Sequence, residues 1–393
     1  MTRKSRLVPA CLIVLIGMAT GACAAPVPPP SVAEPSRTPV PTMTMTPTPV
    51  PQPSTPTPSP ERADLYLITA FADAHLVLFD PDRGEIARIE VGRAPWGVAV
   101  APDGLAYVAT LDGVAVVDVA ARERIGLIGY ASDLALGPEG GEYRAGGLGI
   151  AVAPDGGRVY VGVTTHFPDP GVLEVIDTAT RSTIASLPLG IRQFDMVVSA
   201  DGGEIYAINH DSFDVTVVDA DALTILRTLP AAPLGDELGL GSWNKPHYAA
   251  LTGAGTLLMA YKGVLLLELD PRTGEVSQRP LRASTHSQGV ELTPDGVRLL
   301  VVGDGPNDTS LAGPSLEVVD LATGESTVTP LSGSHNDAAM SLDGKHVYLT
   351  GGSSREGAPR PDVITLVDLD SSEVISEVDV SGNPLIIVPW PAR

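Results

Sequence analysis

From about Asp64 onward the chain reads as short apolar runs cut by polar turns. One run recurs seven times, an alternating apolar stretch that ends in aspartate. It is LVLFD at Asp80, VAVVD at Asp118, LEVID at Asp177, VTVVD at Asp219, LLLELD at Asp270, LEVVD at Asp320 and ITLVD at Asp368. Successive aspartates lie 38, 59, 42, 51, 50 and 48 residues apart, about 48 on average. A period near 40–50 residues, built from short strands, is that of propeller blades.

A second unit precedes most copies: an apolar strand, a turn containing Asp-Gly, and a further strand, centred in most blades on tyrosine. It reads WGVAVAPDGLAYVAT over Trp96–Thr110, LGIAVAPDGGRVYVG over Leu148–Gly162 and FDMVVSADGGEIYAIN over Phe194–Asn209. Asp-Gly supplies the positive φ of a hairpin turn. Each unit therefore predicts a four-stranded antiparallel meander, and the seven final aspartates predict Asx turns. The expected fold is all-β, a seven-bladed β-propeller of four-stranded antiparallel blades over residues 63–393. Blade one begins without an innermost strand. The C-terminal GNPLIIVPWP aligns with RAPWGVAVAP of blade two, Pro384 on Pro95 and Pro391 on Pro102. The tail is expected to supply the missing strand and close the ring.

Tyr107-Val108-Ala109-Thr110 and Tyr206-Ala207-Ile208-Asn209 resemble the tetrapeptide of YVTN-type propeller repeats. That family includes surface-layer proteins, lactonase-like propellers and extracytoplasmic quinoprotein subunits. The resemblance implies the fold across nearly all of Asp64–Arg393; such folds carry unrelated activities.

The first 62 residues break the pattern. Arg3, Lys4 and Arg6 precede an apolar run from Leu7 to Met18, too short to span a bilayer and suited to a signal-peptide core over residues 1–22. Thr20-Gly21-Ala22-Cys23 resembles the lipobox of bacterial lipoproteins, which implies lipidation of Cys23 and a membrane contact through that anchor alone. Ordinary cleavage after Ala24 is the alternative. Residues 23–62 form a Pro/Thr-rich tether with no core-forming pattern, extended as polyproline II. The expected location is the outer face of the cytoplasmic membrane or the cell envelope. Both cysteines, Cys11 and Cys23, lie before the body, so the body has no disulfide or thiolate chemistry. The net charge of −22 excludes nucleic acid as a partner. A protein, a glycan or a small molecule remains, and the chain is expected to be monomeric.

Candidate chemistry gathers at one end of the expected ring. The loops leading into the innermost strands share a face with those between second and third strands, and this face carries the long insertions. The opposite face carries the tight Asp-Gly turns. Ligands bind where loops are built out, so a site is expected on the elaborated face. His75, His166 and His210 fall between second and third strands, and His247, His286 and His335 lead into innermost strands of blades five to seven. His247, His286 and His335, with Asp195, Asp337 or Glu291, are the candidate ligands of a transition metal through neutral imidazole. No short metal motif accompanies them, so no cofactor is assigned. Glu291 stands where other blades carry Ala or Val, and there an ionised carboxylate is costly without a partner. Trp96 stands at the channel mouth, ready to stack on a sugar or another ring. Two functions follow: an envelope-anchored binding module, or an enzyme. The enzyme is a metal-dependent lactonase- or esterase-like hydrolase, or a propeller subunit of an extracytoplasmic oxidoreductase. The absence of a catalytic motif favours binding.

Overall fold

A computed structural model describes residues 64–135, 141–233, 244–262, 265–283, 285, 289–304, 313–351 and 362–391. Cys23, the leader, the tether and His286 lie outside the described residues. The body is the expected ring of seven four-stranded antiparallel sheets. The innermost strands are Val98–Val100, Gly146–Val152, Gln193–Val198, Ala250–Leu251, Val290–Leu292, His335–Met340 and Pro384–Pro391, for blades two to seven and then one.

Closure is as the tail alignment requires. Pro384–Pro391 pairs antiparallel with Asp64–Ala70, placing Val388 opposite Leu67 and Ile387 opposite Ile68. Ile387 then packs with Tyr66, Ile68, Tyr348 and Ile364 in one buried cluster, which joins both chain ends to blade seven. The Tyr66 hydroxyl donates to the Met340 carbonyl at 3.1 Å across the same seam. Ring closure removes the open sheet edges that a linear stack would expose.

The blades bury both faces, which is why their middle strands are apolar throughout. The runs Leu76–Phe79, Val114–Val117 and Leu173–Ile176 hold no exposed residue, and the one charged side chain among them, Glu174, is also buried. Each of the seven aspartates caps a turn as expected; Asp177 accepts the Thr180 N–H at 2.7 Å and Asp219 that of Ala222 at 2.7 Å.

The innermost strands create a separate requirement. One edge pairs with the blade and the other faces the axis, where its N–H and C=O groups need partners. Neighbouring blades supply them. The Gly97 N–H donates to the Leu148 carbonyl at 3.2 Å and that of Gly289 to the Asn336 carbonyl at 2.6 Å. Side chains supply the rest, and two of those side chains are candidate site residues.

Candidate functional site

Asp195 and Asp337 occupy equivalent places, six residues before the aspartates of their blades' first turns, Asp201 and Asp343. Each reaches toward the next blade. Asp195 Oδ2 accepts the Ala249 N–H at 3.0 Å, and Asp337 Oδ2 accepts the Ile387 N–H at 3.0 Å. Room for these carboxylates comes from glycine on the preceding blade. A side chain on Gly149 would meet the Asp195 backbone at 2.6 Å, and one on Gly289 would strike the Asp337 carboxylate.

Between these strands lies an axial cavity of about 180 Å³, lined from all seven blades. Asp195 and Asp337 contribute its charge. Trp96, Phe194 and Tyr248 contribute rings, and Val98, Ile150, Val290, Ile386 and Val388 the apolar wall. Burial holds the Asp195 carboxyl up at about 6. Burial, with the like charge of Asp195, holds Asp337 up at about 7. Among the described residues no cation acts on either group.

The cavity is roofed on the elaborated face. The Trp96 indole of blade two donates to the Tyr248 hydroxyl of blade five at 3.1 Å, tying two well-separated blades across the ring. Phe194 lies 5.7 Å from Trp96 and Phe71 packs edge-on at 5.7 Å. Leu148 and Leu385 complete this buried cluster. Trp96 is therefore a packed roof residue and does not present a platform to solvent. Arg144 lies 5.9 Å from the Trp96 ring centroid and donates to the carbonyls of Ala145 and Gly147. Burial without a described carboxylate partner pulls its guanidinium down to about 10. Toward the tight-turn face the inner strands are more open, with Val100, Val152, Val198, Leu251 and Leu292 all part-exposed. The inner strands are thus more open toward the face opposite the one on which a site was expected.

A charged cluster that sequence reasoning did not identify sits above the roof. Arg192 and Lys245, both buried, converge on Asp211. Arg192 Nε donates to Asp211 Oδ2 at 2.5 Å and Lys245 Nζ to Oδ1 at 2.6 Å. His210 Nδ1 lies 3.1 Å from the same carboxylate. The guanidinium of Arg192 is covered by Tyr143, 3.8 Å from its ring centroid, and by Phe167 at 5.0 Å. His247 packs against His210 at 4.0 Å and Phe194 at 4.5 Å. Glu142 Oε2 stands 4.0 Å from His247 Nε2, and burial raises its carboxyl. The only signal in the sequence was the arrival of His210 and His247 on one face.

The histidines divide. His210 and His247 meet, but the Arg192 guanidinium and the Lys245 ammonium gather at the same cluster, an adverse setting for a metal ion. His335 turns the other way. Its Nδ1 lies 2.8 Å from the Gly333 carbonyl and its Nε2 2.7 Å from the Thr365 hydroxyl on the third strand of its own blade. Burial pulls it down to about 4. It links strands within blade seven and is not brought to His247. His166 is exposed, beside Asp169 at 3.5 Å. Glu291 lies by the seam of blades six and seven, takes a hydrogen bond from the Met340 backbone, and is raised to about 8 by burial and by Asp337. Its Oε2 has no hydrogen-bond partner among the described residues.

No family model and no curated protein matches the chain. Among solved structures, hydrazine synthase from Kuenenia stuttgartiensis is similar at a TM-score of 0.59 and 18% identity, over 74% of this chain and 88% of that one. At that identity the likeness shows the propeller fold alone.

Proposed function

We propose that this chain is an exported, lipid-anchored binding propeller that takes a small molecule into its axial cavity from the tight-turn face. The observation that carries the reading is the cavity itself. All seven blades contribute to it, six through their innermost strands and blade five through Tyr248 just before its own, and it combines an aromatic roof, an apolar wall and two carboxylates. Concave sites with a few convergent polar groups are the usual form of small-molecule recognition. The Cys23 anchor and the tether over 23–62 would hold such a body in the envelope. Binding is preferred to catalysis because the two histidines that meet lie with Arg192 and Lys245, and the third described candidate, His335, is committed to Thr365.

The test is native mass spectrometry of the full chain purified from the membrane fraction of its host. A small molecule should accompany the wild type and be lost from Val388→Trp, which fills the cavity wall. A ligand that survives Val388→Trp, or enzymatic turnover by the purified chain, would overturn the reading. Cys23→Ala should shift the chain from the membrane to the soluble fraction; continued membrane retention would remove the anchor.

A further inference from the structure

We propose that the occupant of the axial cavity is a small organic cation, held between Asp195 and Asp337 and against the rings of Trp96, Phe194 and Tyr248. This deepens the preceding reading and rests on it.

Three features point to this ligand class. First, the wall has unbalanced charge. Asp195 and Asp337 both line the cavity, and among the described residues no guanidinium or ammonium acts on either. The buried cations described above are engaged elsewhere: Arg192 and Lys245 on Asp211, and Arg144 on carbonyl oxygens and 5.9 Å from the Trp96 ring centroid. Buried carboxylates without a cation are costly. Backbone N–H groups reach each carboxylate from the next blade and from the residue that follows it, and a carboxylate, with about four lone-pair sites, retains further acceptor capacity.

Second, the remaining polar requirement is met by rings. Trp96, Phe194 and Tyr248 stand at one end of the cavity. Aromatic faces beside a carboxylate suit a cation whose charge is spread over alkyl groups, and indole is the strongest such face. A hard metal ion requires six or more oxygens, or nitrogen and sulfur donors. Val98, Ile150, Val290 and Val388 offer none, whereas they suit methyl groups. Third, the volume selects for size. A cavity of about 180 Å³ matches roughly six waters at ~30 Å³ each, which is room for a methylated ammonium group.

The test compares four probes on the wild-type full chain by titration calorimetry: tetramethylammonium, tert-butanol as a neutral body of similar size, pivalate as an anion, and calcium. Tetramethylammonium should bind at least about tenfold more tightly than tert-butanol. Asp195→Asn and Asp337→Asn, which keep an acceptor for Ala249 and Ile387, should each weaken it by about tenfold while leaving tert-butanol unchanged. The wild-type comparison stands even if a variant fails to fold. Equal or tighter binding of tert-butanol, pivalate or calcium would overturn the cation and leave the cavity as a binding site. If none of the four binds, the cation and the cavity reading both fall.

Discussion

Blades three to five and blades six, seven and one are two versions of one arc. The inner positions run Gly149, Asp195, Tyr248 in the first and Gly289, Asp337, Ile386 in the second. Each aspartate holds the next inner strand at 3.0 Å. The third strands match as well: Glu174 accepts the N–H groups of Ala131 and Ser132, and Glu317 those of Arg282 and Ala283. Above the inner ring the likeness ends. Arg192, Phe194, Lys245 and His247 of the first arc stand where the second has Ser334, Asn336, Asn383 and Leu385. What recurs is what the ring needs, acceptors for backbone N–H groups along the axis and in the lead-in loops. What does not recur is charge assembled for a purpose other than closure.

The largest predicted effect separates the arcs at that charged layer. Asp211→Asn leaves Arg192 and Lys245 buried together, with side chains 0% and 4% exposed. Loss of one partner from a buried ionic group costs about 3–5 kcal/mol. Urea unfolding should show a loss of that order. A loss under about 1 kcal/mol at Asp211 would mean the cluster is not held as described.

The next effect lies within the shared ring. Gly149→Ala would meet the Asp195 backbone, while Gly289→Ala would meet the Asp337 side chain. Both should destabilise by about 1–3 kcal/mol, as overpacking does. Only the second should be rescued by a partner change: Asp337→Gly should restore most of the midpoint lost by Gly289→Ala, and Asp195→Gly should restore nothing to Gly149→Ala. Equal rescue in both arcs would contradict the geometry.

The propeller was legible because it is written seven times. The aspartate-terminated runs and Asp-Gly turns are local features, and the Pro384–Pro391 strand was found by aligning it with blade two. The site was less legible because its parts meet only through the ring. Asp195 and Asp337 stood out by type, but their donors, Ala249 and Ile387, lie 54 and 50 residues away. The roof across Trp96 and Tyr248 spans 152 residues. The expectation of a site on the elaborated face rested on loop length, and loop length carries no sign of the Trp96–Tyr248 bond that crosses the ring at that end. Three histidines on consecutive blades suggested convergence, but His247, His286 and His335 stand one, three and two residues before the equivalent positions Tyr248, Gly289 and Asp337, and one residue along a strand reverses the side-chain direction.

The carboxylates give the third effect, smaller and graded between arcs. Asp337 is held at about 7 and Asp195 at about 6, against an ordinary 3.8. In both cases burial is the largest cause, and Asp195 adds to the shift at Asp337. The native state therefore keeps protons that the unfolded chain releases above about pH 4. Stability falls as pH rises from there through each native value. Asp337→Asn should be more stable than wild type at pH 8 and equal to it near pH 4, with Asp195→Asn showing the same trend less strongly. Tyr248 and Glu291 face the same region and are neutral over most of this range. Urea midpoints from pH 4 to 8 measure it; a wild type whose stability is unaffected by either change at pH 8 would sink the assignment.

His335 gives the smallest effect and tests the correspondence of the arcs most directly. In blade four the first strand reaches the third through two amides: Gln193 Nε2 donates to Asn209 Oδ1 at 3.1 Å, and Asn209 Nδ2 donates to the Thr216 hydroxyl at 2.9 Å. In blade seven His335 stands opposite Gly351, as Gln193 stands opposite Asn209. With no side chain at Gly351, the imidazole alone spans to Thr365, the counterpart of Thr216. The histidine brings an acid sensitivity that the amides lack. Burial lowers it from 6.5 to about 4, so keeping it neutral costs nothing above pH 6.5, and stability is lost progressively as pH falls from 6.5 toward 4 because the unfolded chain takes up a proton that the native state refuses. At pH 5.5 the cost is about 1 kcal/mol, at ~1.4 kcal/mol per unit. His335→Gln alone leaves a gap before Thr365 and should lower the urea midpoint at every pH. His335→Gln with Gly351→Asn rebuilds the blade-four chain, so the midpoint at pH 7.5 should recover and the loss between pH 7.5 and 5.5 should shrink. A double variant no better than the single one would mean that the two blades share a register without sharing the reason for it.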